Sequence, residues 1–468
     1  MIYVDLQNPD FYDDAQVLIK SFYPRMQTSF LKDDSQLTDE DTVIHADTSM
    51  CEGVSKKEAH DRFKKNLYLK LHDDTGKNLP WGYLTGVRPS KIAYSMLEAG
   101  NSDEEILSEF EDRHFVSHGK AELAMQVAKT EKKILEDIDY TNGYSIYIGI
   151  PFCPTTCLYC SFTSYSLAAN RSKVDLYLDA LVKEMRFVAD RMKGRRLDTV
   201  YFGGGTPTTL EPEQLDRLLN ELEADFDMST VKELTVEAGR PDSVTAQKLE
   251  VLKKHGVDRI SINPQTMNDK TLEIIGRRHS ATQVEEAFKL ARSVGFDNIN
   301  MDIILGLPGE GINELRYTLD KIKELKPESL TVHSLAIKRA AALNIWREKY
   351  EDLKFENSDE TVSLAQKYAG DIGCMPYYMY RQKNMAGNLE NVGYSVPGKE
   401  CIYNILIMEE KQTIIAMGAG ASTKAVFNAE QPNPRIERVE NVKDLTSYIS
   451  RIDEMIERKR IFFDNNML

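Results

Sequence analysis

The sequence predicts an α/β protein whose centre is a parallel β-sheet with crossover helices. First, six short β-rich runs alternate with amphipathic helical stretches between residues 144 and 337, which is the pattern of consecutive β–α units. Second, these runs are nearly continuous in apolar residues, as expected of strands covered on both faces. Third, 41% of the 468 residues are hydrophobic and 28% are charged, a composition typical of globular domains. Six units suit an open doubly wound sheet or a partial (β/α) barrel, and periodicity does not choose between them.

The predicted elements of this core follow one another at regular spacing. The predicted strands are 144–150, 199–202, 233–238, 258–263, 298–306 and 329–337. The predicted helices between them cover 174–193, 211–226, 243–255, a stretch ending near 294, and 311–325. We therefore predict a core domain over residues 141–345, with its chemistry at the carboxyl ends of the strands.

The rest of the chain is long enough for two further regions. Residues 1–140 lack the β–α rhythm and are predicted to form an α+β accessory domain, which includes the turn-rich segment NLPWGYLTGVRPSK at 78–91. Residues 346–468 are predicted to form an α+β extension that covers the substrate. Its predicted helices are 358–371 and 442–459, and its β-like runs are 377–380 and 412–417.

Charge and hydropathy exclude several classes of partner. The formal net charge of −15 argues against nucleic acid and anionic lipid as partners. No apolar run reaches the roughly 18 residues of a membrane-spanning helix, and the acidic start MIYVDLQNPDFYDD lacks the features of a secretory signal. We therefore expect a cytoplasmic location, where clustered cysteines bind metal more often than they form disulfides.

Three of the six cysteines, Cys153, Cys157 and Cys160, lie within eight residues in the loop after the first predicted strand. Structural zinc requires four ligands, and no histidine lies between Cys160 and His255 to complete a local set. An iron–sulfur cluster is held by one cysteine thiolate per iron, so three thiolates leave one iron of a [4Fe-4S] cluster open. Packing of three buried thiols is the third alternative.

The motif C-x3-C-x2-C after a first strand, with Tyr159 before the last cysteine, resembles the signature of radical S-adenosylmethionine (SAM) enzymes. The residues IPFCPTTCLYCSF narrow this resemblance to the oxygen-independent coproporphyrinogen III oxidase-like family of the HemZ type. The resemblance implies a partial (β/α)6 TIM-like barrel and a [4Fe-4S] cluster whose open iron binds SAM. It also implies a radical derived from the cofactor, so no side chain is assigned a catalytic role.

Residues at the ends of later strands fit the same resemblance. YFGGGTPT (201–208) ends the second predicted strand, and its glycines allow the backbone to approach a ligand and offer amide groups to it. Asp302 interrupts an apolar strand, where an unpaired charge is costly, so we expect Arg277, another cation or a polar ligand beside it. The resemblance assigns SAM contacts to Tyr147, Tyr159, Gly204, Gly205, Thr206, Glu237, Gln265, Arg277, Asp302 and Ala336.

The resemblance also implies a substrate and a partner. The substrate is a tetrapyrrole, coproporphyrinogen III, whose propionates become vinyl groups with loss of carbon dioxide. The electron donor is a flavodoxin- or ferredoxin-like protein. A substrate with several carboxylates requires cations at the barrel mouth, preferably arginines. The candidates are Arg240, Lys338, Arg339 and Arg381.

Two positions depart from the decarboxylating enzyme of the family. Phe162 stands where that enzyme has a fourth cysteine, and Gly149 stands where it has a histidine. The alternatives are a related haem chaperone, which shares the phenylalanine, and another radical reaction on a tetrapyrrole. The chaperone carries a haem-binding His-Asn-x-x-Tyr-Trp segment, and Tyr403 in CIYNILIM (401–408) replaces its histidine, which weakens the chaperone interpretation. His333 is interpreted as a core histidine.

Overall fold

A computed structural model describes residues 1–24, 26–32, 37–335, 357–382, 389–431 and 434–466. Three residues with predicted roles, Ala336, Lys338 and Arg339, lie outside the described residues. The strands are β1 (Ile2–Leu6), β2 (Thr28–Phe30), β3 (Thr42–Ala46), β4 (Gly143–Ile150), β5 (Phe152–Cys153), β6 (Tyr165–Ser166), β7 (Arg196–Gly204), β8 (Glu233–Glu237), β9 (Arg259–Ser261), β10 (Ile299–Leu305), β11 (Ser329–Ser334), β12 (Met375–Arg381), β13 (Glu390–Ser395), β14 (Thr413–Met417), β15 (Ser422–Phe427) and β16 (Arg435–Glu440).

The helices alternate with these strands through the centre of the chain. They are α1 (Tyr12–Phe22), α2 (Lys56–Thr75), α3 (Ser90–Glu98), α4 (Asp103–Ser108), α5 (His118–Leu135), α6 (Leu167–Asn170), α7 (Val174–Arg191), α8 (Pro212–Asp225), α9 (Ala246–Lys254), α10 (Asp269–Ile274), α11 (Ala281–Val294), α12 (Ile312–Leu325), α13 (Asp359–Asp371), α14 (Ile402–Glu409), α15 (Leu445–Ser450) and α16 (Ile452–Asn466). Within the described residues, none of them is both long enough and apolar enough to cross a membrane.

Eleven strands form one sheet in the order β12-β13-β11-β10-β9-β8-β7-β4-β14-β15-β16. Within it, β4, β7, β8, β9, β10 and β11 are adjacent in chain order and all parallel. These are the six predicted strands of the core, and the helices between them are the predicted crossovers. The prediction of a partial (β/α)6 barrel is confirmed.

The C-terminal region adds strands to both edges of this parallel sheet. At one edge β14 pairs in parallel with β4, and β15 and β16 continue the sheet in antiparallel pairing. At the other edge β13 pairs antiparallel with β11 and with β12. The edge strands of an open sheet leave backbone groups unpaired, and the C-terminal strands satisfy them. The predicted extension is therefore part of the central sheet.

Local sequence explains where individual elements begin and end. In β10 every residue of Ile299–Leu305 is buried except Asp302, and the strand is apolar apart from Asn300 and Asp302. α11 begins after Ser280, whose hydroxyl accepts the amide of Gln283, and it ends at Gly295 in the left-handed conformation with φ +99°. A cap such as Ser280 stabilises a helix by about 1 kcal/mol, and glycine adopts positive φ without strain.

The N-terminal region contributes to two apolar cores. β1 pairs in parallel with β2 and with β3, and this small sheet packs with α1 and α2 around a core of its own that extends from Ile2 to Tyr83. α3, α4 and α5 belong instead to the core of the central sheet, which also contains Trp81 and Leu84. The two cores therefore meet within the segment 78–91, well before the predicted boundary at residue 140.

Candidate active site

A cavity of about 270 Å³ opens at the carboxyl ends of the parallel strands, beside the cysteine loop. Parallel strands end at the same edge of a sheet, so residues far apart in the sequence meet there. The described lining does not include Tyr147 or Arg381. The predicted residues that the cavity brings together are Cys153, Cys157, Cys160, Tyr159, Gly204, Gly205, Thr206, Glu237, Arg240, Gln265, Arg277 and Asp302.

The cysteine loop is attached to the turn that follows α10. The backbone N–H of Leu158 donates to the carbonyl of Ile275 at 2.9 Å, and the Thr155 hydroxyl donates to the carbonyl of Gly276 at 2.9 Å. At its start the loop pairs with the chain that leaves it, because β5 and β6 form a short parallel ladder in which Cys153 lies opposite Ser166. These contacts hold the three thiols at the mouth of the cavity.

The glycine triplet packs directly against this loop. A Cβ atom on Gly205 would lie 2.5 Å from the carbonyl oxygen of Phe152 and 3.0 Å from Cys153 Sγ. The amides of Gly205 and Thr206 donate to the carbonyls of Ile150 and Phe152 at 2.8 and 2.7 Å. The Gly205 amide therefore does not face a ligand as expected, and the Thr206 amide is engaged in the same way. They bind the cysteine loop, and the missing Cβ of Gly205 leaves room for the thiol.

Two arginines lie against Cys157. Arg240 Nη1 is 3.8 Å from Cys157 Sγ, and the same guanidinium binds both oxygens of Asp242 at 2.9 and 2.8 Å. Burial works to lower the pKa of Arg277, but Tyr159 and Cys157 beside it hold that pKa above its ordinary value. The two guanidinium groups thus place positive charge beside one thiol of the cysteine loop, and a metal binds the thiolate form of cysteine.

All three thiols line the same cavity. In the described part of the chain, no three His, Cys, Asp or Glu side chains are grouped closely enough to hold a single metal ion. A zinc ion draws its sulfur ligands to about 2.3 Å, whereas a [4Fe-4S] cluster binds each thiolate at a different iron. Burial raises the pKa of Cys153 to about 11, and a bound metal supplies the charge that ionises such a thiol. The three cysteine thiolates therefore fit a [4Fe-4S] cluster.

Glu237 ends β8 with its carboxylate at the cavity. Tyr201 donates its hydroxyl to Glu237 Oε1 at 2.6 Å. Burial raises the pKa of Glu237 to about 7, against the lowering effect of that hydrogen bond. Behind the cavity wall, the Tyr201 ring stacks on Tyr403 with ring centres 4.4 Å apart, and Tyr147 stacks on both. Tyr147 therefore supports the wall from behind.

Asp302 presents its carboxylate to the cavity from β10. Asn300 Nδ2 donates to its Oδ1 at 2.7 Å, and His333 Nε2 is 3.9 Å from its Oδ2. Burial works to raise the pKa of Asp302, but His333 and the neighbouring hydrogen bonds hold that pKa below its ordinary value. The side chain beside Asp302 is therefore the imidazole of His333, whereas Arg277 donates to the carbonyl of Asn263.

His333 and Tyr380 also line the cavity, and sequence reasoning does not identify either of them as a site residue. The interpretation of His333 as a core histidine is wrong, since its ring contacts Asp302 on one side and lies 3.3 Å from the Tyr380 hydroxyl on the other. The available signal was the position of His333 near the carboxyl end of a parallel strand. Nothing in the sequence places Tyr380 beside it.

Three polar atoms buried at the cavity lack a partner. Asn263 Oδ1, Gln265 Oε1 and Arg277 Nε find no hydrogen bond among the residues that the structure describes. Gln265 also adopts φ +66°, a left-handed conformation that costs a non-glycine residue about 1–3 kcal/mol. Unpaired buried polar groups are costly as well. A small polar ligand satisfies these atoms, and the amino, carboxylate and hydroxyl groups of SAM fit them.

Arg240 and Arg381, which were predicted to bind the carboxylates of the substrate, are not placed as expected. Arg240 reaches the cavity but is engaged by Asp242 and by the Thr155 hydroxyl. Arg381 does not reach it, because successive residues of a strand point to opposite faces: Tyr380 and Gln382 line the cavity, and Arg381 turns away to donate to the carbonyl of Leu84 at 2.7 Å. Its predicted role as a carboxylate clamp is inconsistent with this placement.

Known proteins resemble this chain in sequence and in fold. The Radical SAM superfamily profile matches residues 147–322. The oxygen-independent coproporphyrinogen-III oxidase-like protein HemZ of Bacillus subtilis (strain 168) is 41% identical over 414 residues, which are 87% of this chain and 82% of that protein. The heme chaperone HemW of the same organism is 40% identical over 194 residues, 41% of this chain and 50% of that protein.

Among solved structures, coproporphyrinogen III oxidase (HemN) from Escherichia coli, described as a radical SAM enzyme, matches with a TM-score of 0.54. The match covers 70% of this chain and 72% of that chain at 21% sequence identity, so it shows a shared fold. The parallel barrel, the cysteine loop and the similarity to HemZ all indicate the same family. The chain belongs to the radical SAM superfamily, which uses a [4Fe-4S] cluster and SAM, and within it to the HemZ-like family.

Proposed function

We propose that this protein oxidises coproporphyrinogen III without oxygen, converting propionate side chains to vinyl groups. One observation carries the proposal: a single cavity joins the three cysteines to Glu237 and Asp302 and continues to a wall of aromatic and amide side chains. The similarity to a coproporphyrinogen-III oxidase-like relative over most of both chains supports the substrate class. A tetrapyrrole has flat apolar rings and carboxylate arms, which match a wall of this mixed chemistry.

Different residues of the cavity would have different roles in such a reaction. Cys153, Cys157 and Cys160 would hold the cluster, and Glu237 would accept hydrogen bonds from ribose hydroxyls of SAM. When bound, the cluster and SAM would supply the radical chemistry for hydrogen abstraction, and SAM, cleaved to methionine and 5′-deoxyadenosine, would be the net two-electron oxidant. The protein would bind and orient the two reactants in this cavity at the carboxyl ends of the barrel strands and limit the access of water to the reacting atoms.

The carboxylate of Glu237 gives the binding of SAM a pH dependence. Because the pKa of Glu237 is raised to about 7, we expect the affinity for SAM to increase as the pH rises through 7 and the carboxylate becomes a full acceptor. Equilibrium binding of SAM to the reconstituted protein between pH 6 and 8 measures this. Glu237→Gln should bind SAM with the same affinity across that range. A pH dependence that persists in Glu237→Gln would contradict the assignment.

The same shift has an opposite effect on stability. A carboxyl group whose pKa is higher in the folded protein than its ordinary value of 4.5 binds more protons when folded. Its contribution therefore favours the fold at low pH and declines as the pH rises from about 4.5 to about 7. Over the upper part of this pH range, the affinity for SAM should therefore increase while the contribution of Glu237 to folding stability decreases.

The two positions that differ from the decarboxylating enzyme are Phe162, which lines the cavity, and Gly149, which lies next to a residue that supports the cavity wall. Phe162 lines the cavity with 71% of its surface exposed, where it adds apolar area for a substrate ring. Gly149 lies in a crowded position: a Cβ there would be 3.3 Å from the carbonyl oxygen of Met417 and 3.4 Å from the Tyr147 ring. A histidine at this position requires its neighbours to move, so this protein positions its substrate without one.

Product analysis tests the proposal. Anaerobic, reduced protein with SAM and coproporphyrinogen III should yield 5′-deoxyadenosine and a tetrapyrrole that carries vinyl groups. Protein without SAM is the control and should leave the tetrapyrrole unchanged. If SAM is cleaved, the tetrapyrrole is recovered intact and haem binds stoichiometrically, the protein is a chaperone instead.

The structure favours the enzyme over that alternative. Tyr403, at the position of the chaperone's histidine, is buried in the stack behind the cavity. Cys401, the nearby thiol that could otherwise ligate haem iron, is fully buried and donates to Glu233 Oε1 at 3.3 Å. Neither side chain offers an accessible axial ligand.

A further inference from the structure

The segment 78–91 of the N-terminal region packs against the two strands that carry part of the cavity wall. Tyr380 in β12, Gln382 just after it, and Asn391 in β13 line the cavity. β12 and β13 are antiparallel neighbours, in which Tyr380 lies opposite Asn391 and Arg381 lies opposite Glu390. Adjacent cross-strand pairs point to opposite faces of a sheet. The first pair therefore faces the cavity, and the second pair faces the N-terminal region.

One side chain, Trp81, contacts both members of this second pair. Its indole N–H donates to Glu390 Oε2 at 2.7 Å, and its ring lies under the Arg381 guanidinium, 5.4 Å from ring centre to Cζ. Lys120 of α5 donates to the other oxygen of Glu390 at 2.6 Å. All four side chains are almost completely buried. The loss of one partner from such a buried group leaves an uncompensated charge and is strongly destabilising.

Backbone contacts extend the attachment along β12. Arg381 donates its side chain to the carbonyl of Leu84 and its backbone N–H to the carbonyl of Val87, each at 2.7 Å. From Glu390 the contacts continue into the cavity wall. The Ser334 hydroxyl donates to the carbonyl of Glu390 at 3.0 Å, and the Ser334 N–H donates to Asn391 Oδ1 at 2.9 Å. The N-terminal segment is therefore linked to β11, β12 and β13 together.

We propose that Trp81 and Lys120 are positioning residues, which act through Glu390 and Arg381 to place Tyr380, Gln382 and Asn391 against the tetrapyrrole. The segment 78–91, which contains Trp81, thereby has a function in positioning the cavity wall. It rests on the proposed function for the identity of the substrate. A phenol ring and two amides suit a ligand with flat pyrrole rings and polar side chains. The SAM side of the cavity is built from other elements, so the two affinities should respond differently to a change at Trp81.

Trp81→Phe tests the proposal with a small change. Phenylalanine keeps an aromatic ring beside Arg381, but it removes the donor to Glu390 and part of the buried indole volume. Tyr448→Phe is the matched control, because the Tyr448 hydroxyl donates at 2.6 Å to Glu184, a buried carboxylate that Lys459 binds, and none of these three residues lines the cavity. Each variant thus removes one hydrogen bond to the carboxylate of a buried Lys–Glu pair. Only the pair that Trp81 contacts lies behind the cavity wall.

We expect Trp81→Phe to weaken the binding of coproporphyrin III, an air-stable fluorescent probe, by about tenfold, while SAM affinity and iron content remain unchanged. Hydrogen exchange should accelerate in Met375–Arg381 and Glu390–Ser395. Tyr448→Phe should leave the two affinities and exchange in these strands unchanged. Glu390→Gln, which keeps an acceptor for the indole but removes the charge, should shift both readouts in the same direction, and it replaces Trp81→Phe if that variant does not fold.

Exchange is measured without substrate, so its result is independent of the reaction. If the wild-type protein forms no vinyl product, the proposed function fails, and faster exchange confined to β12 and β13 in Trp81→Phe still supports the positioning role. Unchanged exchange in these strands overturns the positioning role, even if product is formed. Equal losses of SAM and coproporphyrin III affinity also overturn it, since they indicate a general loss of structure.

Discussion

Replacing Cys157 with alanine is expected to remove the iron–sulfur cluster and to lower SAM cleavage by about 1,000-fold, which corresponds to ~4 kcal/mol of transition-state stabilisation. The reason is that the cluster needs a thiolate on each of three irons, and Cys157 is the thiol on which Arg240 and Arg277 converge. Iron and sulfide content after anaerobic reconstitution, and 5′-deoxyadenosine formed per protein, measure the effect.

Cys374→Ala is the control for this substitution. Cys374 is also buried, and its thiol donates to the carbonyl of Glu328 at 3.5 Å, away from the cavity lining. This variant should keep the iron content and SAM cleavage of the wild type. Zinc in place of iron in the wild-type protein, or unchanged iron content in Cys157→Ala, would refute the cluster assignment.

Gly205→Ala is expected to produce the second large effect, a loss of most of the cluster from a protein that still folds. The added Cβ would lie 2.5 Å from the Phe152 carbonyl oxygen and 3.0 Å from Cys153 Sγ. The backbone oxygen has little freedom to move, so the loop that carries Cys153 must shift. Overpacking of this kind costs about 1–3 kcal/mol of folding free energy, and it displaces one thiolate from its iron.

Iron content and thermal unfolding of the same preparations separate the two consequences of Gly205→Ala. Gly370→Ala is the matched control, because a Cβ at this helical position meets no described atom within 4 Å. It should retain the full cluster and gain about 0.5–1 kcal/mol of stability, the difference between alanine and glycine in a helix. A full complement of iron in Gly205→Ala would show that the loop accommodates the methyl group without losing a ligand.

The barrel itself was predictable because its signal is local. The predicted strand 298–306 matches β10 (Ile299–Leu305), and the predicted helix 311–325 matches α12 (Ile312–Leu325). β10 is visible as a nearly continuous apolar run and α12 as a helical repeat of apolar residues, each within a short window of sequence. The predicted runs 377–380 and 412–417 match β12 and β14, whereas β13, β15 and β16 and the places of all five strands at opposite edges of the sheet were not predicted. Strand order depends on pairing between distant segments, which no local pattern encodes.

The charged residues illustrate where prediction from sequence ends. Arg381 follows an aromatic run after the barrel, and its charge suggested a substrate contact, yet the strand turns it toward Leu84. Arg240 follows a barrel strand as expected, yet Asp242 two residues later neutralises it. For Arg381 the difference from prediction lies in the direction of the side chain, which depends on the register of β12. For Arg240 the difference lies in its ion pair with Asp242, which leaves the guanidinium neutralised although it reaches the cavity.

The sequence by itself determined the chemistry that needs only neighbouring residues. Three thiols in eight residues after a strand, in a motif that resembles the radical SAM signature, predict a cluster loop, and the glycines at the end of the next strand predict a close approach of the backbone. The tertiary structure alone decided which distant groups complete the site: His333 beside Asp302, and Trp81 behind Glu390, 309 residues away in the chain. The physical reason is that spacing within a loop is set by covalent geometry, whereas contacts across the chain are set by the packing and register of the whole sheet.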